Sequence, residues 1–220
     1  MTSLQAVLWD MDGTLVNTEP YWISAETAMI ERFGGAWSDE HALQLVGKGL
    51  WDCAAIIQAT GVELSADEIV FELSDEVRRQ LREHGIPWQP GARELLAELR
   101  EAGIATALVT MSLREMALEI VEQAGFHAFD AVVAGDDVTE PKPHPEPYLA
   151  GLAALGVDAS GAVGIEDSLT GLRSARAAGL AAIGVPHMIS LDDSEAHTVW
   201  PTLAGRGVED IRLMLSEVRS

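Results

Sequence analysis

Cysteine is nearly absent: Cys53 stands alone among 220 residues. A single thiol excludes an internal disulfide and a cysteine-rich zinc site, and it fits a reducing cytoplasm. Positive charge is also sparse, with 14 Lys and Arg against 35 Asp and Glu and a formal net charge of −21. That balance excludes nucleic acid and anionic membranes as partners, because a polyanion is held by clustered cations. A phosphate-bearing ligand would therefore have to be captured locally, against the field of the whole chain. Lysine is scarcer still, since all cations but Lys48 and Lys142 are arginine. No basic segment followed by an apolar stretch opens the chain and no apolar run is of spanning length, so neither a signal peptide nor a membrane helix is expected. There is no internal repeat or low-complexity tract. No interface signature stands out, which makes a monomer the expectation.

What the chain does have is apolar content, 48% of its residues, enough for one large domain or a domain with an insertion. Much of it comes in short runs that end in polar residues. "AVLWD" ends at Asp10, "ATALVT" at Thr110, "DAVVAGDD" at Asp136 and Asp137, and "GAVGIED" at Glu166 and Asp167, while "AAIGV" spans Ala181 to Val185. Each reads as a strand buried on both faces, as in a parallel sheet. Helical segments lie between the later runs. In "SLREMALEIVEQAG", Leu113, Met116, Ala117, Ile120, Val121 and Ala124 fall on one helical face. Ser112 and Glu115 have capping-box spacing at its start, and Gly125 suits its end. "PGARELLAELREAG" repeats the pattern. Alternating strand and helix predicts a doubly wound, Rossmann-like α/β fold with a parallel sheet. Ligands in such folds sit at the carboxyl ends of the strands, where these polar residues fall.

The stretch from Asn17 to Pro87 breaks the alternation. It separates the first strand from the next by far more than one crossover needs, and its patterns are helical. The reading is an α/β core formed by residues 1–16 and 88–220, with a helical cap subdomain over 17–87. "GIPWQPG" is the return linker. A final helix is expected near Glu209 to Val218.

Two aspartates one residue apart, Asp10 and Asp12, follow directly on the first buried run. Aligned carboxylates at a strand end repel each other and lose solvation, so a cation or a reaction should compensate them. "DMDGTLV", Thr110, Lys142 and "GIEDS" occur in this order on successive strand ends. In this the chain resembles the haloacid dehalogenase-type phosphohydrolase superfamily, and its helical insertion resembles the branch with β-phosphoglucomutases, phosphoglycolate phosphatases and sugar-phosphate phosphatases. The resemblance covers nearly the whole chain. Three positions depart from the usual pattern: Asn17 stands where many relatives have Asp, Pro141 where Gly usually precedes the lysine, and Met111 where a small residue is commoner.

The resemblance implies a Mg²⁺-dependent phosphatase acting on a small phosphorylated metabolite, a sugar phosphate, through an aspartyl-phosphate intermediate. Phosphate monoesters hydrolyse extremely slowly unaided, and a covalent carboxylate nucleophile divides the barrier. Asp10 is the expected nucleophile. Asp12 would protonate the leaving alkoxide and then take a proton from water. Asp10, the backbone carbonyl of Asp12 and Asp167 are the expected Mg²⁺ ligands, with Glu166 joining directly or through water. Thr110 would hold a phosphoryl oxygen, helped by the N-terminus of the next helix. Lys142, in the proline-rigidified "EPKPHPEPY", would supply a compact ammonium where a guanidinium would not fit.

Other positions stay open. Ser112 reads as the helix cap and is left out of the catalytic set. Asp136 and Asp137 either position Lys142 or simply end a strand. The insertion of this branch is a mobile cap that excludes water and reads the leaving group. Lys48 and Trp51, in "GKGLWD", are substrate contacts there or, equally, a surface lysine and a packed tryptophan. Glu19, Tyr21 and Trp22 open the first cap helix. Mutases of the branch carry histidine where this chain has Trp22. The alternative function is nonetheless a β-phosphoglucomutase-type transfer that returns the phosphoryl group to a sugar. A non-enzymatic phospho-accepting receiver module is disfavoured, because its accepting aspartate ends the third strand and not the first.

Overall fold

The computed structural model describes residues 3–220. In chain order its elements are β1 (Ala6–Trp9), α1 (Glu19–Arg32), α2 (Asp39–Leu43), α3 (Leu50–Gln58), α4 (Ala66–His84), α5 (Ala92–Glu101), β2 (Ala105–Val109), α6 (Arg114–Gln123), β3 (Ala131–Val133), α7 (Glu146–Leu155), β4 (Ala162–Glu166), α8 (Leu169–Ala177), β5 (Ala181–Gly184), β6 (Thr198–Val199) and α9 (Val208–Val218). The six strands form one parallel sheet in the order β3-β2-β1-β4-β5-β6. The fold is therefore the α/β fold that the strand–helix alternation predicts. The two-residue β6 has no counterpart in the sequence reading, because so short an edge strand leaves no periodic signal.

β1 is wholly buried, and its alternation serves both faces. Val7 and Trp9 pack with Leu95, Leu99, Met116 and Ile120 on the side of α5 and α6. Ala6 and Leu8 pack with Tyr148, Leu152, Leu172 and Ala175 on the side of α7 and α8. Such two-faced burial is what makes the strand read as a continuous apolar run. Strand order reverses at β1: the chain builds outward through β2 and β3, then returns to lay β4 on the other flank. Crevices at such a switch point are where open α/β sheets bind ligands.

Register brings the polar strand ends together at that point. Trp9 is level with Leu108 on β2 and with Ile165 on β4, and the Asp10 amide donates to the Ile165 carbonyl at 3.0 Å. Asp10 therefore lies beside Glu166 at the carboxyl edge.

Helices α1–α4 occupy the chain between β1 and α5 and pack on one another around Ile30, Ile57, Ile69 and Leu73. α4 starts in a reciprocal capping box: the Glu68 amide donates to Ser65 Oγ, and the Ser65 amide to Glu68 Oε2. The two connections to the core run side by side. The Asn17 amide donates to the Pro87 carbonyl and the Gln89 amide to that of Leu15. On one flank Arg78 of α4 reaches Glu115 and Glu119 of α6 at 2.6 and 2.5 Å. At the crevice, Thr170 Oγ1 donates to the Gly47 carbonyl at 2.5 Å. A Cβ on Gly47 would stand 2.6 Å from that of Ser168, so glycine is what lets the cap seat so closely. No helix among the described residues is long and apolar enough to cross a membrane.

Candidate active site

Lys142 organises the crevice. Its ammonium, buried at 3% exposure, donates to Asp10 Oδ1 at 2.6 Å, Glu166 Oε1 at 2.6 Å and the Val109 carbonyl at 2.9 Å. Burial alone would lower its pKa, but the charges of Asp10 and Glu166 outweigh that and hold it above the ordinary lysine value. The Lys142 amide is held as well, donating to Met111 Sδ at 3.3 Å. Tyr148, fully buried on α7, donates its hydroxyl to Glu166 Oε1 at 2.7 Å. Its ring lies 5.3 Å from the ammonium, within cation–π range.

The carboxylates outnumber this one cation. Burial, then the Glu166 charge, push Asp10 up to about 7 against the pull of Lys142. Asp167 is pushed well above the carboxylate range by burial and by Asp10 and Glu166. Its Oδ2 is buried without a hydrogen-bond partner. Asp10, Glu166 and Asp167 each offer an oxygen within 4.8 Å of the others. An orphaned buried oxygen, excess negative charge and an all-oxygen donor set fit a hard divalent cation. Gly13 completes the cradle: its φ is +83°, and a Cβ there would come within 2.0 Å of Asp167 Oδ2.

Asp12 is held by four donors from both sides of the crevice. Thr18 Oγ1 and Trp22 Nε1 donate to Oδ1 at 2.5 and 3.2 Å. Ser112 Oγ and Thr110 Oγ1 donate to Oδ2 at 2.7 and 3.2 Å. Ser112 is therefore not the helix cap. Leu113 occupies that position, and the first helical amide, that of Arg114, is taken by Asp136 Oδ1 at 2.8 Å. Ser112 Oγ is free to turn inward because Asp136 takes the helical amide it would otherwise cap, and its own amide donates to Thr110 Oγ1 at 3.0 Å. The same facts narrow the expected phosphate cradle at the start of α6, where Asp136 occupies one amide. Asp136 and Asp137 anchor Arg114 and do not touch Lys142.

Of the residues singled out from sequence, Asp10, Asp12, Lys142, Asp167 and Lys48 line one cavity between cap and core. Thr110 and Glu166 stand directly behind it, bonded to Asp12 and Lys142. Trp51 is not brought there. It is 39% exposed on the cap and donates to Asp67 Oδ1 at 2.8 Å, because the start of α3 turns it outward. The cap wall includes two carboxyls of α1, Glu19, which the sequence places at the opening of the first cap helix, and Glu26, which sequence reasoning did not single out. Burial, helped by Asp12, raises Glu19 to about 7. Burial, opposed by the Trp37 hydrogen bond, raises Glu26 to about 8. Their spacing on α1, with Trp22 and Ile23 between them, is the only sequence signal that could have shown this face.

Residues 7–185 match the family model for haloacid dehalogenase-like hydrolases. The chain belongs to that family. Among proteins it resembles is a phosphorylated carbohydrates phosphatase of Thermotoga maritima, 32% identical over 98% of this chain and 100% of the other. Another is an N-acetylmuramic acid 6-phosphate phosphatase of Pseudomonas aeruginosa, 35% identical over 88% of this chain and 87% of the relative. In three dimensions it is similar to CbbY of Rhodobacter sphaeroides in complex with phosphate, with a TM-score of 0.86 and 29% identity over 94% and 98% of the two chains.

Proposed function

We propose that this protein is a Mg²⁺-dependent phosphatase that hydrolyses a sugar phosphate or a similar small phosphorylated metabolite through an aspartyl phosphate on Asp10. The observation that carries the reading is the buried Asp10–Lys142–Glu166 ion group, with Asp12 beside it, facing a cavity roofed by the cap. Membership of a hydrolase family whose named relatives include sugar-phosphate phosphatases supports it.

Lys142 holds Asp10 Oδ1, which leaves the other oxygen to attack phosphorus as the ester P–O bond breaks. Asp12 gives its proton to the departing alkoxide, then accepts one from the water that cleaves the acyl phosphate and frees Asp10 and inorganic phosphate. Thr18, Trp22, Thr110 and Ser112 aim the Asp12 carboxyl for both transfers. Lys142 neutralises charge that builds on the phosphoryl oxygens. Asp10, Asp167 and the main-chain carbonyl of Asp12, with Glu166 directly or through water, would hold Mg²⁺, which when bound offsets the repulsion between carboxylate and phosphate dianion. The seated cap keeps bulk water from the acyl phosphate.

Mutase chemistry has less support. The Trp22 indole N–H can donate to Asp12 but cannot accept a proton from a sugar hydroxyl. The test is phosphate release from hexose phosphates, phosphoglycolate and an aryl phosphate, with Mg²⁺ and with chelator, for wild type and Asp10→Asn. Mg²⁺-dependent release that disappears in the variant is expected. Undiminished release by Asp10→Asn would sink the nucleophile assignment.

A further inference from the structure

Gly13 stands where a side chain would not fit, since a Cβ there would meet Asp167 Oδ2 at 2.0 Å. Glycine removes that clash but adds freedom, because it has the most permissive backbone of any residue. A turn that carries Asp12 and borders Asp167 would be loose unless its peptides were held. Both peptides that flank the Gly13 Cα are held. The Gly13 amide donates to the Val16 carbonyl at 2.8 Å, within the turn itself. The Asp12 carbonyl shares that planar trans peptide, so the same bond directs it away from Val16. The Gly13 carbonyl accepts from Gln89 Nε2 at 2.7 Å, from a residue 76 positions further along the chain. No main-chain amide among the described residues donates to that carbonyl, so the Gln89 side chain is what holds it.

Gln89 belongs to the linker by which the chain returns from the cap, yet its own backbone is fixed on the core. Its amide donates to the Leu15 carbonyl at 3.0 Å. Its carbonyl accepts from the Ala92 amide at 3.1 Å, at the start of α5. That helix is anchored in turn by the buried Leu95, Leu96 and Leu99. Val16 and Trp88 pair as an antiparallel bridge just before it. The Gln89 side chain is half-buried and reaches from this rigid base to the Gly13 turn. It donates to none of the carboxylates of the site, so whatever it does there is done through the Gly13 peptide.

We propose that Gln89 is a positioning residue for the candidate cation site. Its bond to the Gly13 carbonyl locks the turn in the orientation that aims the Asp12 carbonyl and leaves room beside Asp167. The inference deepens the phosphatase reading and rests on it for which groups hold Mg²⁺. Groups one step removed from a metal's ligands, when lost, commonly weaken its binding by about 10–100-fold. The return linker therefore does more than bring the chain back to the core, since it supplies the outer clamp on the turn after β1.

The test is Mg²⁺ binding by isothermal titration calorimetry, without substrate, for wild type, Gln89→Met and Gln89→Asn. Methionine keeps the length of the side chain and loses the donor. Asparagine keeps the polar group and is one methylene too short to reach Gly13. Each folded variant, checked by circular dichroism, is expected to bind Mg²⁺ about tenfold more weakly than wild type. Melting temperature in chelator should fall by at most a few degrees, the effect of one half-buried hydrogen bond. Phosphate release should follow the metal. The Mg²⁺ concentration for half-maximal rate is expected to rise by the same factor, with most of kcat restored at saturating Mg²⁺. A merely structural role would instead lower the melting temperature and leave Mg²⁺ affinity unchanged, and wild-type affinity in either variant overturns the proposal. So does a wild type that binds no Mg²⁺. If wild type binds Mg²⁺ but releases phosphate from no ester, the phosphatase reading fails on its own. The ratio of dissociation constants between wild type and variants then still decides the inference.

Discussion

Lys142 Nζ and Asp10 Oδ1 lie 2.6 Å apart, in a crevice where the lysine side chain is 2% and the aspartate 10% exposed. A pair this deep is worth less as net stability than it costs to break, because removal of one partner strands the other charge in a poor solvent. Lys142→Met should therefore destabilise the metal-free protein by about 3–5 kcal/mol in urea unfolding, with Asp10 and Glu166 left facing each other. Lys142→Arg restores the charge but not the shape, since a planar fork cannot take the three-way position between Asp10, Glu166 and the Val109 carbonyl. Its phosphate release is expected to fall by at least about a hundredfold. Near-normal turnover by Lys142→Arg would show that a point charge is not what the site requires.

Ser112 should matter to turnover more than to stability. Its hydroxyl donates to Asp12 Oδ2 and caps no helix. Ser112→Ala leaves Oδ2 with Thr110 as its remaining hydroxyl donor at 3.2 Å. A drop in kcat of about tenfold is expected, the scale of one well-placed hydrogen bond, with a melting temperature close to wild type. A large loss of melting temperature with unchanged kcat would return Ser112 to a structural role.

How the sequence conceals Ser112 explains much of what was and was not legible. Strands β1, β2 and β4 could be read because each is an unbroken apolar run that ends in an acid or a hydroxyl, and burial on both faces produces such runs. Lys142 could be read because lysine is so rare in this chain. Ser112 sits two residues after Thr110 and three before Glu115, and that local spacing mimics a capping box. Only the tertiary position of Asp136 shows that the cap is supplied from elsewhere. Tyr148 looks like one more apolar-face residue of α7, and its bond to Glu166 exists only because α7 packs across β2 and β3 with its start reaching β1 and the end of β4. Trp51 could not be decided from sequence for the opposite reason: beside a glycine-rich loop it reads equally as a substrate contact or a packed tryptophan, and only the helical rotation of α3 shows it turned outward to Asp67. Rotational phase within the cap is set by how its helices pack on one another, and no short motif carries it.

Metal should stabilise the fold through Asp167. The partnerless Oδ2 and the pKa raised by burial and by Asp10 and Glu166 fit a carboxylate that a bound cation would stabilise in its charged form. A cation bound only by the folded state adds about 2.7 kcal/mol at a concentration of about a hundred times its Kd. Wild type should melt higher in Mg²⁺ than in chelator. Asp167→Asn should be at least as stable as wild type in chelator, having lost a repelling charge, and should show little response to Mg²⁺. An equal Mg²⁺-induced shift in wild type and variant would move the metal site away from Asp167.

Glu26 sets a pH dependence that can be separated from the metal site. Its carboxyl titrates at about 8 in the folded protein against 4.5 when unperturbed, chiefly because it is buried. The folded state thus holds the proton more tightly than the unfolded chain between these values. The stabilisation is fully present below the unfolded pKa and is lost as pH rises through the folded one. Wild-type stability should carry a falling component from pH 4.5 towards about 8 that Glu26→Gln lacks. Asp10, Glu19 and Asp167 are also raised by burial and add slopes of the same sign, so the absolute profile of wild type does not isolate Glu26. The difference between the two proteins does, because those groups remain in both. Glutamine keeps an oxygen for Trp37 Nε1 and cannot ionise, so the variant should gain on wild type by on the order of 3 kcal/mol between pH 5 and pH 9. Urea unfolding at those two pH values, with chelator present so that metal does not intervene, reads the difference directly. Parallel pH profiles for the two proteins would mean that Glu26 reaches water and ionises at an ordinary pKa.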